Sequence, residues 1–186
     1  AGHKLYAPKG VGALYLRRGL ALPSLLLGAG QESGRRAGTE NVPGIVGLGE
    51  AARLAAGLVD EEMAHCRALR GRLLAGLRQH FDERQMRVNG LAESHPRDCL
   101  PGTLSVSFHG LEAGDLLARL GDRLAASPGA ACHAEGGQLS AVLTAMGLDP
   151  IWARGTLRFS VGRMSKPAEI DQAVGLLATV IQPLLA

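Results

Sequence analysis

Residues 104–108 read LSVSF, and this stretch decides the fold. The apolar Leu104, Val106 and Phe108 alternate with two serines, which is the two-residue period of a strand with one buried and one polar face. A second apolar segment with strand character, LRFSV, follows at residues 157–161. Both segments are therefore predicted to be strands.

Further strands and helices are predicted around these two. The predicted elements alternate along the chain: a strand near 86–89, the strand at 104–108, a helix at 112–120, a short strand at 124–127, a helix at 139–146, the strand at 157–161, and a closing helix from Pro167 to about Leu185. Strands and helices in alternation indicate a small α/β domain.

The first third of the chain follows another pattern. The segment GALYL at 12–16 is short, apolar and bounded by glycine and proline, which indicates a buried strand. From Pro43 to about Phe81 the residues are helix formers, so one long helix or two in series is predicted, with Asp60 as a candidate N-cap. A domain boundary is predicted inside this stretch, with residues 1–60 before it and 61–186 after it.

Composition narrows the classes of function. The 186 residues can bury a substantial core, and the formal net charge of +3 comes from scattered basic residues, so nucleic-acid binding is not expected. The three cysteines form no CxxC pair, which suits reduced thiols in a cytoplasmic protein, and no metal site is expected. No run of 18 apolar residues occurs, so no membrane span is expected. The start at Ala1 rather than Met favours a fragment.

Lys4 lies in the segment HKLYAPKGVGALYLRRG at residues 3–19. A lysine held just before a buried strand could form a Schiff base, because partial desolvation lowers its pKa and leaves free amine. An ordinary solvated lysine is the alternative that this segment leaves open.

Four strings occur in the order of a known family. Residues 2–19 resemble the cofactor-lysine segment of class V aminotransferase-fold enzymes, specifically the cysteine desulfurase and selenocysteine lyase group. Three more strings resemble the segment after that lysine, the catalytic cysteine loop and the substrate-arginine strand: GQESGRRAGTENVPGIVGLG at 30–49, GAACHAEGG at 129–137 and LRFSVGRMSKPAEID at 157–171. The resemblance implies a fold-type-I α/β enzyme, with the end of the large cofactor domain at 1–60 and the small C-terminal domain at 61–186.

The resemblance also implies how the cofactor, pyridoxal 5'-phosphate, is held. Lys4 would bind it covalently and move the proton released from the substrate α-carbon, and His3 would touch its phosphate. Thr39 would reach the phosphate of the partner subunit in a homodimer, with an N-cap role as the alternative for this threonine. Ala1 stands where the family often has serine, so one hydroxyl contact to the phosphate is missing.

Three residues of the second half would act on the substrate. Cys132 would take the sulfur or selenium, and His133 beside it would lower the thiol pKa or donate a proton to the leaving group. Arg158 would grip the substrate carboxylate with its planar guanidinium. The alternatives are a buried structural cysteine and a salt-bridged arginine. Cys66 and Cys99 are expected to be structural.

The order Gly-Ala-Ala-Cys-His is closer to selenocysteine lyases than to the Ser-Gly-Ser-Ala-Cys-Thr of longer-loop cysteine desulfurases. The interpretation is therefore a lyase that releases selenium from L-selenocysteine and leaves L-alanine. The alternative is a cysteine desulfurase that forms a persulfide from L-cysteine, and either enzyme would hand the chalcogen to an acceptor protein. A non-catalytic interaction fragment and an aminotransferase of the same class are further alternatives. This chain by itself is expected to be inactive.

Overall fold

The computed structural model describes residues 1–95, 97–129 and 139–185. Contacts divide the chain into two compact units, Ala1–Asp60 and Glu61–Ala186. The first unit contains a short 3-10 helix, Gly2–Leu5, a four-residue turn α1, Gln31–Gly34, and the start of the long helix α2, Val42–His80, which ends in the second unit. That the first unit belongs to a cofactor domain stays a prediction here.

Residues 12–16 form no strand, so the prediction for this segment was wrong. Leu14 and Tyr15 are 75% and 86% exposed instead of buried. A strand needs a neighbour with which it can exchange backbone hydrogen bonds, and in the described part of the chain the sheet is built from the second unit alone. The segment therefore has the composition of a buried strand but no sheet to join.

Helix α2 is one continuous helix, which decides between the two arrangements that the sequence left open. Asn41 caps its start, because the Oδ1 atom of Asn41 accepts the backbone N–H of Gly44 at 3.1 Å. Asp60 lies in the middle of the helix and is not an N-cap, so that expectation was wrong. The apolar spacing that follows Asp60 continues a helix that has already begun.

By length and composition α2 could cross a membrane. An 18-residue window of it has a mean hydropathy of 1.4, and 6% of that window is buried. The window is not an uninterrupted apolar run, because it contains up to two charged residues among its alanines, glycines and leucines, and the sequence expectation of no membrane span rested on such runs. A single such helix is weak evidence, since core helices of soluble proteins have the same composition.

Among its described residues, the second unit is a four-stranded antiparallel sheet with helices. The strands are β1, Met86–Val88, β2, Thr103–Phe108, β3, Ser127–Pro128, and β4, Thr156–Ser160, in the spatial order β1-β2-β4-β3. The helices are α3, Ala113–Leu120, α4, Ala141–Ala145, α5, Pro150–Ala153, and α6, Pro167–Ile181, with 3-10 turns at Gly121–Arg123 and Gln182–Leu184. The predicted elements are confirmed, except that the short strand lies at 127–128 and not at 124–127.

The core lies between one face of the sheet and three helices. Leu104, Val106 and Phe108 point to this face from β2, and Leu157 and Phe159 join them from β4. Helix α2 contributes Leu69, Leu73, Leu77 and Phe81, and α3 and α6 close the cluster with Leu116, Leu120, Ile170 and Leu177. The rings of Phe81 and Phe108 meet edge to face with centroids 5.2 Å apart.

The core assignment predicts that Leu77→Ala lowers the free energy of unfolding by about 2–5 kcal/mol, because Leu77 is fully buried and its loss leaves a cavity. Leu100→Ala removes the same atoms at a site that is 73% exposed, and should change this free energy by less than about 0.5 kcal/mol. Urea unfolding followed by circular dichroism measures both. Equal losses in the two variants would contradict the assignment.

Candidate functional site

Lys4 lies in a tightly closed turn. The N–H of Gly2 donates to the carbonyl of Val11 at 2.8 Å, and the N–H of Ala7 donates to the carbonyl of Gly2 at 3.1 Å. Gly2 is buried, and a Cβ atom there would lie 2.8 Å from the Val11 oxygen, so the turn requires glycine at this position. The closed turn fixes the backbone of Lys4 and leaves its side chain exposed.

The same turn rests on helix α2. A Cβ atom on Gly47 would lie 2.9 Å from the ring of Pro8, so the absence of a side chain at Gly47 lets the proline approach the helix. Tyr6 takes the left-handed conformation with φ 61°, which costs about 1 kcal/mol for a residue with a Cβ. The turn is therefore held by its surroundings. The desolvation expected for Lys4 does not come from the described residues, because His3 and Lys4 are both exposed.

Thr39 lies in a loop that is braced by an arginine. The Nη1 atom of Arg36 donates to the carbonyl of Gly38 at 2.7 Å and to that of Thr39 at 3.3 Å. The N–H of Gly38 donates to Oε1 of Gln31 at 3.2 Å. The hydroxyl of Thr39 is exposed, and the helix cap is Asn41, so the N-cap alternative for Thr39 is wrong.

Sequence reasoning missed the two residues that organise this loop. Arg36 is half-buried and donates to two loop carbonyls. Asn41 was not singled out, although an asparagine two residues before a proline is a common start of a helix. The cap at Asn41 could therefore have been predicted from the sequence. The role of Arg36 could not, because a hydrogen bond from a side chain to loop carbonyls produces no sequence pattern.

The face of the sheet opposite the core is polar. Ser105 and Ser107 of β2 lie on it, opposite Arg158 and Thr156 of β4. Arg158 is exposed, and its neighbour on the other side is Ser127 of β3. Within the described residues the guanidinium of Arg158 forms no hydrogen bond or ion pair, so the salt-bridge alternative is not observed there. Arg158 therefore presents a guanidinium on a strand-fixed backbone.

Arg163, in the turn after β4, has a different environment. Its Nη1 atom lies 3.3 Å from Oε1 of Glu62 on α2, and both side chains are about one-third exposed. Two residues later the carbonyl of Ser165 lies 3.0 Å from Nε2 of His65 on the same helix. Arg163 therefore takes part in attaching this turn to α2, which separates its role from that of Arg158.

Cys132 and His133 lie outside the described residues, so their predicted roles stay predictions.

The two other cysteines are free thiols. Cys66 is buried, and burial, with a smaller contribution from the charge of Glu62, raises the pKa of its thiol. The sulfur of Cys99 lies 2.8 Å from Nη1 of the buried Arg70.

This chain is similar to known proteins along nearly its whole length. The family described as Aminotransferase class-V matches residues 1–173. A cysteine desulfurase of Gluconacetobacter diazotrophicus is 43% identical over 185 residues, which is 99% of this chain and 45% of that protein. The cysteine desulfurase IscS of Methanosarcina thermophila is 40% identical over 99% of this chain and 44% of its own length.

Solved structures agree with this result. A NifS-like protein matches with a TM-score of 0.79 and 32% identity over 100% of this chain and 45% of its own. SspA in complex with cysteine matches with a TM-score of 0.54 and 30% identity over 87% of this chain and 42% of its own. The chain thus spans a little under half the length of these relatives. The relatives are named for cysteine desulfuration, which supports the alternative interpretation over the selenocysteine lyase that the cysteine segment favoured.

The burial of Cys66 predicts that iodoacetamide modifies this thiol at least ~10-fold more slowly in the folded chain than in the urea-unfolded chain. The raised pKa keeps the thiol protonated and burial blocks access, so both effects act in the same direction. Cys99, which is less buried, is the internal control and should react faster. Peptide mass spectrometry measures both rates. A Cys66 that reacts equally fast in both states would not be structural.

Proposed function

Because this chain belongs to the aminotransferase class-V family, we propose that the complete protein is a pyridoxal-phosphate-dependent cysteine desulfurase. It takes sulfur from L-cysteine, leaves L-alanine and passes the sulfur to an acceptor protein. The observation that carries the proposal is Arg158, an exposed guanidinium on the polar sheet face, paired across to the strand that leads to Cys132. The similarity to cysteine desulfurases along 99% of this chain supports it.

The first unit has three groups that can hold pyridoxal phosphate. Lys4 offers an amine, His3 an imidazole and Thr39 a hydroxyl, and all three are exposed. An amine can hold the cofactor aldehyde, and the other two can donate hydrogen bonds to a phosphate. When bound, the cofactor supplies an electron sink for bond changes at the substrate α-carbon. The residues present therefore fit this cofactor.

Substrate binding is assigned to Arg158 and proton transfer to Lys4. The planar guanidinium can form two parallel hydrogen bonds to the substrate carboxylate, and the pairing of β4 with two neighbouring strands holds its backbone in place. The Nζ atom of Lys4 would accept the proton released from the substrate α-carbon. One side chain thus holds the cofactor and later moves a proton.

Sulfur transfer is assigned to Cys132. Its thiolate attacks the sulfur of the substrate, the new S–S bond forms a persulfide on Cys132, and the C–S bond of the substrate breaks. The electron pair of that bond stays on the carbon, which is protonated to give alanine. His133, next in the sequence, is the proposed proton carrier for Cys132.

The assembly and location of the protein are also proposals. Thr39 is proposed to complete the phosphate site of the partner subunit in a two-fold homodimer. The free thiols of Cys66 and Cys99 support a cytoplasmic location. The exposed apolar part of α2, which includes Ile45 and Val46, lies inside the family match, and we assign it to packing within the complete protein instead of a membrane.

The cofactor assignment predicts that borohydride reduction attaches pyridoxal phosphate covalently to Lys4 in the complete enzyme. Peptide mapping by mass spectrometry locates the label. Lys4→Arg keeps the charge but not the reactivity, and should remove the label, whereas Lys9→Arg in the same segment is the control and should retain it. Label on another lysine with Lys4 unmodified would contradict the assignment.

The transfer step predicts that Cys132→Ala lowers alanine formation from cysteine by ~10²-fold or more, because the covalent nucleophile is lost. Cofactor absorbance should stay unchanged, since Lys4 is intact. Cys99→Ser is the control and should retain activity. Alanine formation from selenocysteine should fall less in Cys132→Ala, because a selenolate leaves more readily than a thiolate. Undiminished turnover of cysteine by Cys132→Ala would show that this thiol is not the acceptor.

A further inference from the structure

Strand β3, which precedes the segment of Cys132, is joined to β4, which carries Arg158, by one short ladder of backbone pairs. Ser127 of β3 pairs with Arg158, and Pro128 pairs with Leu157. The ladder extends one residue further, because the N–H of Gly129 donates to the carbonyl of Thr156 at 2.7 Å. Pro128 has no N–H to donate, so among the described residues the bond from Gly129 is the last one that joins this end of β3 to β4.

Gly129 and Thr156 are in close contact, with no space for a side chain at residue 129. A Cβ atom at residue 129 would overlap Cγ2 of Thr156 and would lie 2.7 Å from its Cβ and 3.3 Å from its carbonyl oxygen. Any side chain at 129 would therefore push the end of β3 away from β4. The close approach is possible only with glycine at this position.

Thr156 is itself held in one orientation by buried hydrogen bonds. Its Oγ1 lies 2.7 Å from Oγ of Ser107, and it also donates to the carbonyl of Trp152 at 3.4 Å. Ser107 is bonded in turn to Asn89, with Nδ2 at 2.9 Å and Oδ1 at 3.2 Å from the serine oxygen. Ser107 and Thr156 are completely buried. A hydroxyl held in this way fixes χ1 of Thr156 and with it the position of the methyl group that faces Gly129.

We propose that Gly129, Thr156 and Ser107 are positioning residues, which fix the end of β3, where the chain continues toward Cys132, relative to the carboxylate-binding Arg158. The inference rests on the proposed function and adds to it the contact that fixes the backbone from which the segment with Cys132 starts. Arg158 is two residues from Thr156 on β4, and Cys132 is three residues after Gly129. The contact between Gly129 and Thr156 therefore fixes the backbone of residue 129, where the chain continues toward Cys132, relative to Arg158.

The test uses Gly129→Ala in the complete enzyme, alone and combined with Thr156→Ser. The alanine side chain should lower kcat for alanine formation by ~10²-fold with little change in KM, because a displacement of about 1 Å is enough for such a loss. Thr156→Ser removes the clashing methyl and keeps the hydroxyl, so the double variant should recover part of kcat. Cofactor absorbance should be the same in all variants.

A matched control separates positioning from general destabilisation. Gly76→Ala introduces a comparable conflict, with its Cβ 2.7 Å from Cγ2 of Val174, but against helix α6 and away from the ladder. This variant should keep kcat within about twofold of the wild-type value while its urea midpoint is similar to that of Gly129→Ala. Ser107→Ala adds no atoms and should lower kcat on the order of 10-fold through loss of the orientation of Thr156.

A second measurement does not depend on desulfurase activity. Alkylation of Cys132 by iodoacetamide should accelerate at least about threefold in Gly129→Ala, return toward the wild-type rate in the double variant, and stay unchanged in Gly76→Ala. An equal loss of kcat in Gly76→Ala, or unchanged alkylation in Gly129→Ala, overturns the inference. If the wild-type enzyme forms no alanine from cysteine, the proposed function fails, and the alkylation rates still decide the inference.

Discussion

The antiparallel pairing of β2 with β4 is the interaction on which the rest of the second unit depends. It places Val106 opposite Leu157 on the core face and Ser107 opposite Thr156 on the polar face. Because side chains alternate along a strand, a slip by one residue would turn the leucine to the polar face and bring a hydroxyl into the core. One register therefore defines both the hydrophobic cluster and the polar face that presents Arg158.

The polar face is buried where it supports structure and exposed where it can meet a ligand. Ser107, Thr156 and Asn89 satisfy one another, and leaving one such buried group without its partner would cost about 1–3 kcal/mol. Arg158, next along β4 on the same face, is exposed. The hydrogen bonds of these neighbours help to fix the backbone of β4, so the side chain of Arg158, the proposed substrate-binding residue, is not used for that purpose.

The sequence predicts most of the second unit, because period-two alternation in LSVSF and helical spacing up to Phe81 are local signals that burial then reinforces. It fails for residues 12–16, where the composition of a strand is present but no partner strand lies in the described chain. The family and the candidate residues follow from motifs, whereas the brace of Arg36 and the contact of Gly129 with Thr156 do not. These two depend on distances between atoms, which no spacing in a sequence encodes.

The edges of the sheet have a consequence for self-association. In the part of the chain that the structure describes, the order β1-β2-β4-β3 leaves β1 and β3 as the outer strands, and they contain three and two residues. β3 ends in Pro128, which has no N–H to offer, and β1 carries the exposed Arg87, whose guanidinium lies 4.2 Å from the ring centroid of Trp152. Short edges with a proline and a charge are poor templates for an incoming strand. Copies of this unit are thereby protected against edge-to-edge aggregation through this sheet.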